Sequence, residues 1–297
     1  MAGRLVRRTA EDWIIDTIVA LTMTVFSLSI VFPFWSMLVD SFSTPLFAYQ
    51  RGIKLWPVPV YTDAYVEILK RPIVYTAYLN TIIRSVSGVA LTLGVCFAAA
   101  YGLSKERLPF RRALSIFFII TIFFSGGLIP TYLWYRQLGM VNTRIVLIVP
   151  HIAQAFYIII IRRFVESLPN ELEESAFMDG ASVYVILARI IIPLSLPVLA
   201  TVGLWAAVFH WNEWFHAMIF SSRRDLTVLQ LLLRRVLIEN QASNVFEMTM
   251  GEEVAGSTTE KAVRAATMFV SIGPIILVYP FIQKYFVRGI MVGSVKG

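Results

Sequence analysis

Cysteine is nearly absent. Cys96 stands alone in 297 residues, which excludes an internal disulfide framework and a cysteine-rich metal site. It lies inside an apolar run, where a lone cysteine reads as a small buried hydrophobe. Charge is also scarce, at 15% of residues where a soluble domain carries about 25%. The usual soluble surface is therefore excluded. There is no Gly-x-x-x-x-Gly-Lys-Ser/Thr loop to cradle phosphates, so the chain does not hydrolyse ATP by that route. Neither His-Glu-x-x-His nor Gly-x-Ser-x-Gly occurs, which removes the common hydrolase sites. No catalytic residue and no metal ligand set emerges. Glu252 and Glu253 lack a histidine or further carboxylate at ligand spacing and read as a solvated loop.

What is present is apolar and organised in blocks. Hydrophobic residues make up 57%, and the mean hydropathy is +0.70. The blocks approach or exceed the roughly 20 residues a helix needs to cross a bilayer. Backbone polar groups find no water in lipid, so these blocks are expected to be helices. Six spans are predicted, at about 14–39, 77–103, 112–137, 145–164, 193–219 and 265–287. The expected fold is an all-α membrane protein forming one transmembrane domain over 1–297. The first span is too long for a signal-peptide core and is expected to stay in place.

The formal net charge is +7. Basic residues gather at span ends and in loops, which suggests anchoring and topology rather than nucleic-acid binding. Arg4, Arg7 and Arg8 precede the first span, and Lys105, Arg107, Arg111 and Arg112 crowd the loop between spans 2 and 3. Short basic loops face the cytoplasm, so both termini are expected there. Two long segments, about 40–76 and 220–264, then lie outside. The first should hold a short helix near 63–70, and the second a helical period from Leu226 to Leu237.

The loop from about Val165 to Ile192 is too long for a simple connection. Pro169-Asn170 should stop the preceding helix, with Asn170 capping a new one and Glu173 as its capping-box partner. Glu171, Glu173 and Glu174 suit the positive end of that helix. Gly180 should end it in a left-handed conformation. Ser182 should cap a second short helix through Arg189, stopping before Pro193. This predicts a cytoplasmic helix–turn–helix with a small apolar face, which is a docking element; an ordinary capped surface loop is the plainer alternative.

Glu174-Ser175-Ala176, Asp179-Gly180-Ala181, Ile190, Ile192 and Pro193 resemble the EAA loop of importer permeases of the ATP-binding cassette class. That pattern runs Glu-Ala-Ala, three residues, Gly, nine residues, Ile, one residue, Leu, Pro. Every spacing fits, with Ser175 and Ile192 as mild departures. Three further segments resemble the carbohydrate-importer branch: Phe124 to Tyr132, His210-Trp211-Asn212-Glu213-Trp214, and Gln283 to Gly289. Within that branch the chain is most similar to the second permease of importers for complex or acidic oligosaccharides, of the alginate and pectin-fragment kind.

The resemblance implies a bacterial inner-membrane, multi-pass subunit. It also implies a second, different permease, two ATPase subunits holding ATP and Mg, a sugar-binding protein and an oligosaccharide substrate. No cofactor on this chain and no nucleic acid are implied. Glu174, Ser175, Ala176, Asp179, Gly180, Ala181, Ile190 and Pro193 would couple to the ATPase.

For the solute pathway, span 5 is the first place to look. Trp205, Phe209, Asn212 and His216 fall at helical spacing on one face, with Glu213 beside it. Aromatic faces stack on sugar rings, and amide or imidazole groups bond hydroxyls. Trp211 belongs to the same cluster, though Trp211 and Trp214 also suit interface anchors. Asn80, Arg84, His151 and Gln154 are further intramembrane polar groups, the last two suited to bonds between helices. Gly126-Gly127 with Pro130 suggests a kink or a close helix contact. Arg223, Arg224, Arg234 and Arg235 form a basic cluster that would attract a uronate polymer, or serve as ordinary loop charges. The alternatives are a neutral-oligosaccharide permease, a non-sugar permease, an intramembrane enzyme and an ion-coupled secondary transporter. The last would need an internal repeat and several buried ionisable groups.

Overall fold

The structure is a computed structural model that describes residues 10–44, 47, 52–238, 261–274 and 276–277. Most of these residues are helical, with no strand among them. They fall in two compact units, one within Met1–Arg71 and Glu239–Val270, the other within Pro72–Ile238 and Ser271–Gly297.

The first unit is led by α1 (Ala10–Ser41), a long apolar helix. Its side chains from Trp13 to Phe34 stay exposed within the chain, as suits a surface made for lipid or another subunit. Its C-terminal end is pinned. Asp40, almost fully buried, pairs with Lys54 at 3.3 Å and Lys261 at 2.8 Å. Ser41 Oγ and the Tyr65 hydroxyl lie 2.8 Å apart, and Tyr65 stacks on Phe42. Tyr65 belongs to α2 (Asp63–Leu69), the short helix expected near 63–70.

The second unit is built around α3 (Pro72–Ser104). Its buried residues, Ala77, Thr81, Arg84, Gly88, Thr92, Cys96, Ala100 and Leu103, recur every three or four positions and form one stripe. Many are small, which lets neighbouring backbones come close. Leu79, Ile82, Val86, Leu91 and Val95 occupy the other faces and stay exposed. The stripe packs on α7 (Ala155–Glu166) and α10 (Leu196–Asn212). α10 answers it with Val198, Val202, Ala206 and His210, spaced by four. Cys96 is fully buried in this core, its Sγ 3.4 Å from the Ile152 carbonyl.

Three predicted spans are broken rather than continuous. α4 (Arg111–Phe123) and α5 (Leu128–Gln137) meet at 114°. The hinge falls where Gly126-Gly127 suggested a kink, with Gly127 at φ +81°, a conformation side-chain-bearing residues avoid. α6 (Ile145–Ile148) runs into a 3₁₀ turn, Val149–His151, and that pair bends by 48° before α7. The stretch entering α10 bends by 76°. Beyond α10 come α11 (Phe215–Phe220), a 3₁₀ turn Arg224–Leu226 and α12 (Leu229–Ile238). Of the sixth predicted span, only residues 265–274 and 276–277 are described, and they are helical. The segment Gln283 to Gly289 lies outside the described residues.

The 165–192 loop folds as two helices, α8 (Glu171–Met178) and α9, which begins at Val183–Ile186. Gly180 sits at φ +79°. Its N–H reaches the Phe177 carbonyl, and the Ala181 N–H reaches the Ala176 carbonyl, both at 3.0 Å. Those paired bonds are a Schellman cap. Two local expectations are corrected. Asn170 has helical backbone angles, not the extended ones of a cap, and makes no side-chain cap bond; the Glu173 carboxylate pairs with Lys105 instead. α9 does not stop before Pro193. It widens into a π turn over Leu187–Ile191 and runs on through Ile192–Leu194. A proline lacks the N–H for a normal helical bond, and a π turn relieves the clash of its ring with the preceding carbonyl.

Candidate functional site: a polar break between α10 and α11

α10 ends where the Glu213 N–H bonds to the Phe209 carbonyl and Glu213 turns extended. Its own carbonyl accepts a bond from Arg84 Nη1, which sets a guanidinium at a helix C-terminus, where positive charge is favoured. Arg84 is 1% exposed, and its Nε and Nη2 meet no acceptor among the described residues. The Glu213 carboxylate faces the other way. One oxygen accepts the His216 backbone N–H at 3.0 Å, and the second lies 3.1 Å from His216 Nδ1. An acid at the start of α11 suits the positive end of that helix.

The polar chain continues. His151 Nε2 lies 3.2 Å from His216 Nε2, and Gln154 Nε2 lies 3.3 Å from His151 Nδ1. The His151 ring stands edge-on to Phe209, centroids 4.5 Å apart. Beside them opens a pocket of about 200 Å³ lined by His151, Gln154, Phe156, Tyr157, Phe209 and Thr92 among others. Trp205 packs against Phe156 and Tyr157 with ring centroids near 6 Å, at 5.9 and 6.1 Å. The arrangement offers aromatic faces with two imidazoles, His151 and His210, and one amide, the groups that stack on and hydrogen-bond a sugar.

Of the span-5 candidates, Phe209 lines the pocket and Trp205 braces its aromatic wall. Glu213 and His216 stand behind His151. The common helical face does not extend to His216, because the helix breaks at 213–214. Asn212 is exposed and spends its amide on the Val208 carbonyl one turn back. Trp211 keeps a buried Nε1 with no partner among the described residues. Neither lines the pocket. Phe156, Tyr157 and Thr92 were not foreseen; in sequence their apolar surroundings match those of lipid-facing residues.

Outside this core, Asn80 Nδ2 donates to the Asp225 and Thr227 carbonyls at 2.7 and 3.0 Å. The Leu229 N–H bonds to Thr81 Oγ1 at 2.9 Å. Of the four arginines in this region, Arg223 is spent on a two-bond pair with Asp225, and the guanidinium holds that carboxyl below its usual range. Arg234 lies 3.6 Å over the Trp214 ring.

On the 165–192 loop, α8 buries Ala176 in the core, while Leu172, Phe177 and Met178 are exposed. Ile190 packs at the edge of the same core, beside the π turn that precedes Pro193.

No family model matches the chain. It is 35% identical over 288 residues to a polygalacturonan/rhamnogalacturonan transport system permease protein of Bacillus subtilis, covering 97% of this chain and 100% of that one. Its fold matches a subunit of a bacterial transporter involved in import of the acidic polysaccharide alginate. The TM-score is 0.88 at 32% identity, over 95% of this chain and 99% of that chain. A chain from a bacterial alginate transporter bound to an alginate-loaded periplasmic protein shares the fold at TM-score 0.58 and 13% identity. This all-α membrane chain therefore belongs to the permease subunits of ATP-binding cassette sugar importers, multi-pass proteins of the bacterial inner membrane.

Proposed function

We propose that the chain forms half of the translocation pathway of an ATP-driven oligosaccharide importer and that its natural solute is an acidic, uronate-type oligosaccharide. The pathway half rests on one observation, the aromatic and polar pocket where α3, α7 and α10 meet. A second, different permease closes the pathway, and two ATPase subunits supply ATP and Mg. A sugar-binding protein delivers the solute. This chain binds no cofactor and no nucleic acid. It crosses the membrane six times with both termini in the cytoplasm, and its outer surface meets lipid.

The docking element is α8 with the start of α9. Glu174, Ser175, Ala176, Asp179, Gly180 and Ala181 meet the ATPase, and Leu172, Phe177 and Met178 offer it apolar contact. Ile190 and Pro193 set the exit of α9 from this element. The acidic substrate is favoured by the two relatives whose solutes are acidic polysaccharides. The outer arginines give weaker support, because Arg223 is already neutralised by Asp225.

The test is ATPase activity of the reconstituted complex with its binding protein, titrated with uronate oligosaccharides and separately with neutral glucans. Stimulation by uronates alone is expected. Stimulation by glucans alone keeps the importer and overturns the acidic substrate.

A further inference from the structure

Among the described residues, one polar cluster ties the side chains of the docking helix to the rest of the chain. Lys105, just beyond the C-terminal end of α3, donates to both carboxylate oxygens of Glu173 on α8. Tyr101, one turn earlier on α3, places its hydroxyl 3.4 Å from Glu173 Oε2. The Lys105 ammonium also lies 4.3 Å from the centre of the Tyr101 ring. A carboxylate, an ammonium and a phenol therefore close on one another, and the Glu173 side chain is only 16% exposed. Among the described residues no ion pair involves Glu171 or Glu174, although both lie on the same helix. Partial burial and two donors separate this contact from an ordinary surface ion pair, which contributes little.

What Glu173 is tied to matters more than the tie. α3 is one unbroken helix of 33 residues, about 50 Å long at 1.5 Å per residue. Its other half is anchored at the polar break. Arg84 holds the Glu213 carbonyl, Asn80 holds two carbonyls of the 225–227 turn, and Thr81 receives the Leu229 N–H. α3 runs unbroken from beside the docking helix, past Thr92 in the pocket wall, to Arg84 at the polar break. Coupling between distant sites travels through rigid elements attached at both ends.

We propose that Glu173, Lys105 and Tyr101 form a coupling strut: they are positioning residues through which movement of α8 is delivered to α3 and so to the α10–α11 break. The proposal rests on reading α8 as the ATPase-docking helix. It differs from docking itself, since none of the three is assigned to the ATPase contact.

The experiment uses the whole importer with its binding protein, reconstituted in vesicles, with whichever oligosaccharide stimulates the wild type. Lys105→Met and Glu173→Gln are compared with the exchanged pair Lys105→Glu/Glu173→Lys. Each single variant is expected to retain the ATPase subunits and the basal ATPase rate, while solute uptake per ATP falls about tenfold, within the usual span of coupling energies. The exchanged pair is expected to recover most of that loss, which mere destabilisation would not allow. Wild-type uptake in both single variants would overturn the strut. So would failure of the exchanged pair to recover, or loss of the ATPase subunits from the single variants. Failure of the underlying reading looks different: Gly180→Trp would retain the ATPase subunits as fully as the wild type.

Discussion

Replacing Gly180 with tryptophan should strip the ATPase subunits from the purified complex, lowering the co-purified amount about tenfold or more, the effect of some 1.4 kcal/mol of lost binding. Gly180 ends α8 at φ +79°, where a side chain costs roughly 1–2 kcal/mol. A Cβ built there meets no atom of the chain within 4 Å. Inside this chain the substitution is therefore strained but not crowded. The added bulk projects into space that a docked partner would fill. Gly180→Ala separates the two effects, because it carries the strain with almost no bulk. The expected order is wild type above Gly180→Ala, with Gly180→Trp far below. Equal ATPase recovery from all three would remove α8 from the docking surface.

The second large effect is expected in the core. A Cβ on Gly88 would lie 2.5 to 2.7 Å from three ring atoms of His210, closer than real contacts allow. His210 is 1% exposed and sits on the buried stripe of α10, so its ring can give way only toward the pocket it borders. Gly88→Ala should therefore destabilise the chain by about 1–3 kcal/mol, the cost of an overpacked core. The readout is the melting temperature and yield of the detergent-purified complex. Truncating the facing ring should relieve the clash, so Gly88→Ala/His210→Ala should be more stable than the sum of the single changes predicts. A coupling of roughly 0.5–3 kcal/mol between them is the expected size. Simple additivity would mean that α3 and α10 do not approach here as described.

The parts legible in the sequence are those fixed by local periodicity and local caps. The long helix α3 was legible as an apolar span, though not its buried stripe, and Gly180 announced its own turn. Gly126-Gly127 marked the hinge between α4 and α5. What was not legible depends on partners far away in the chain. Asn170 looked like a cap with Glu173 beside it, but Lys105, 68 residues earlier, takes Glu173 instead. The run from Trp205 to His216 looked like one helical face, yet Glu213 ends α10 and serves α11 from the far side of a break. Arg84 pays for that break by bonding the freed carbonyl. Tyr157 could not be separated from lipid-facing aromatics until α7 was set against α3 and α10. Pro193 looked like a stop, and the π turn that lets the helix pass it has no simple sequence signature.

This chain should move a sugar only when a partner subunit hydrolyses ATP. The most direct test is uptake of labelled oligogalacturonate by vesicles holding the full importer and its binding protein, with ATP or a non-hydrolysable analogue supplied to the ATPase side. Uptake with ATP, none with the analogue, and none driven by a proton or sodium gradient alone is the predicted result. Uptake sustained by an ion gradient without ATP would contradict the account and make the chain a secondary transporter.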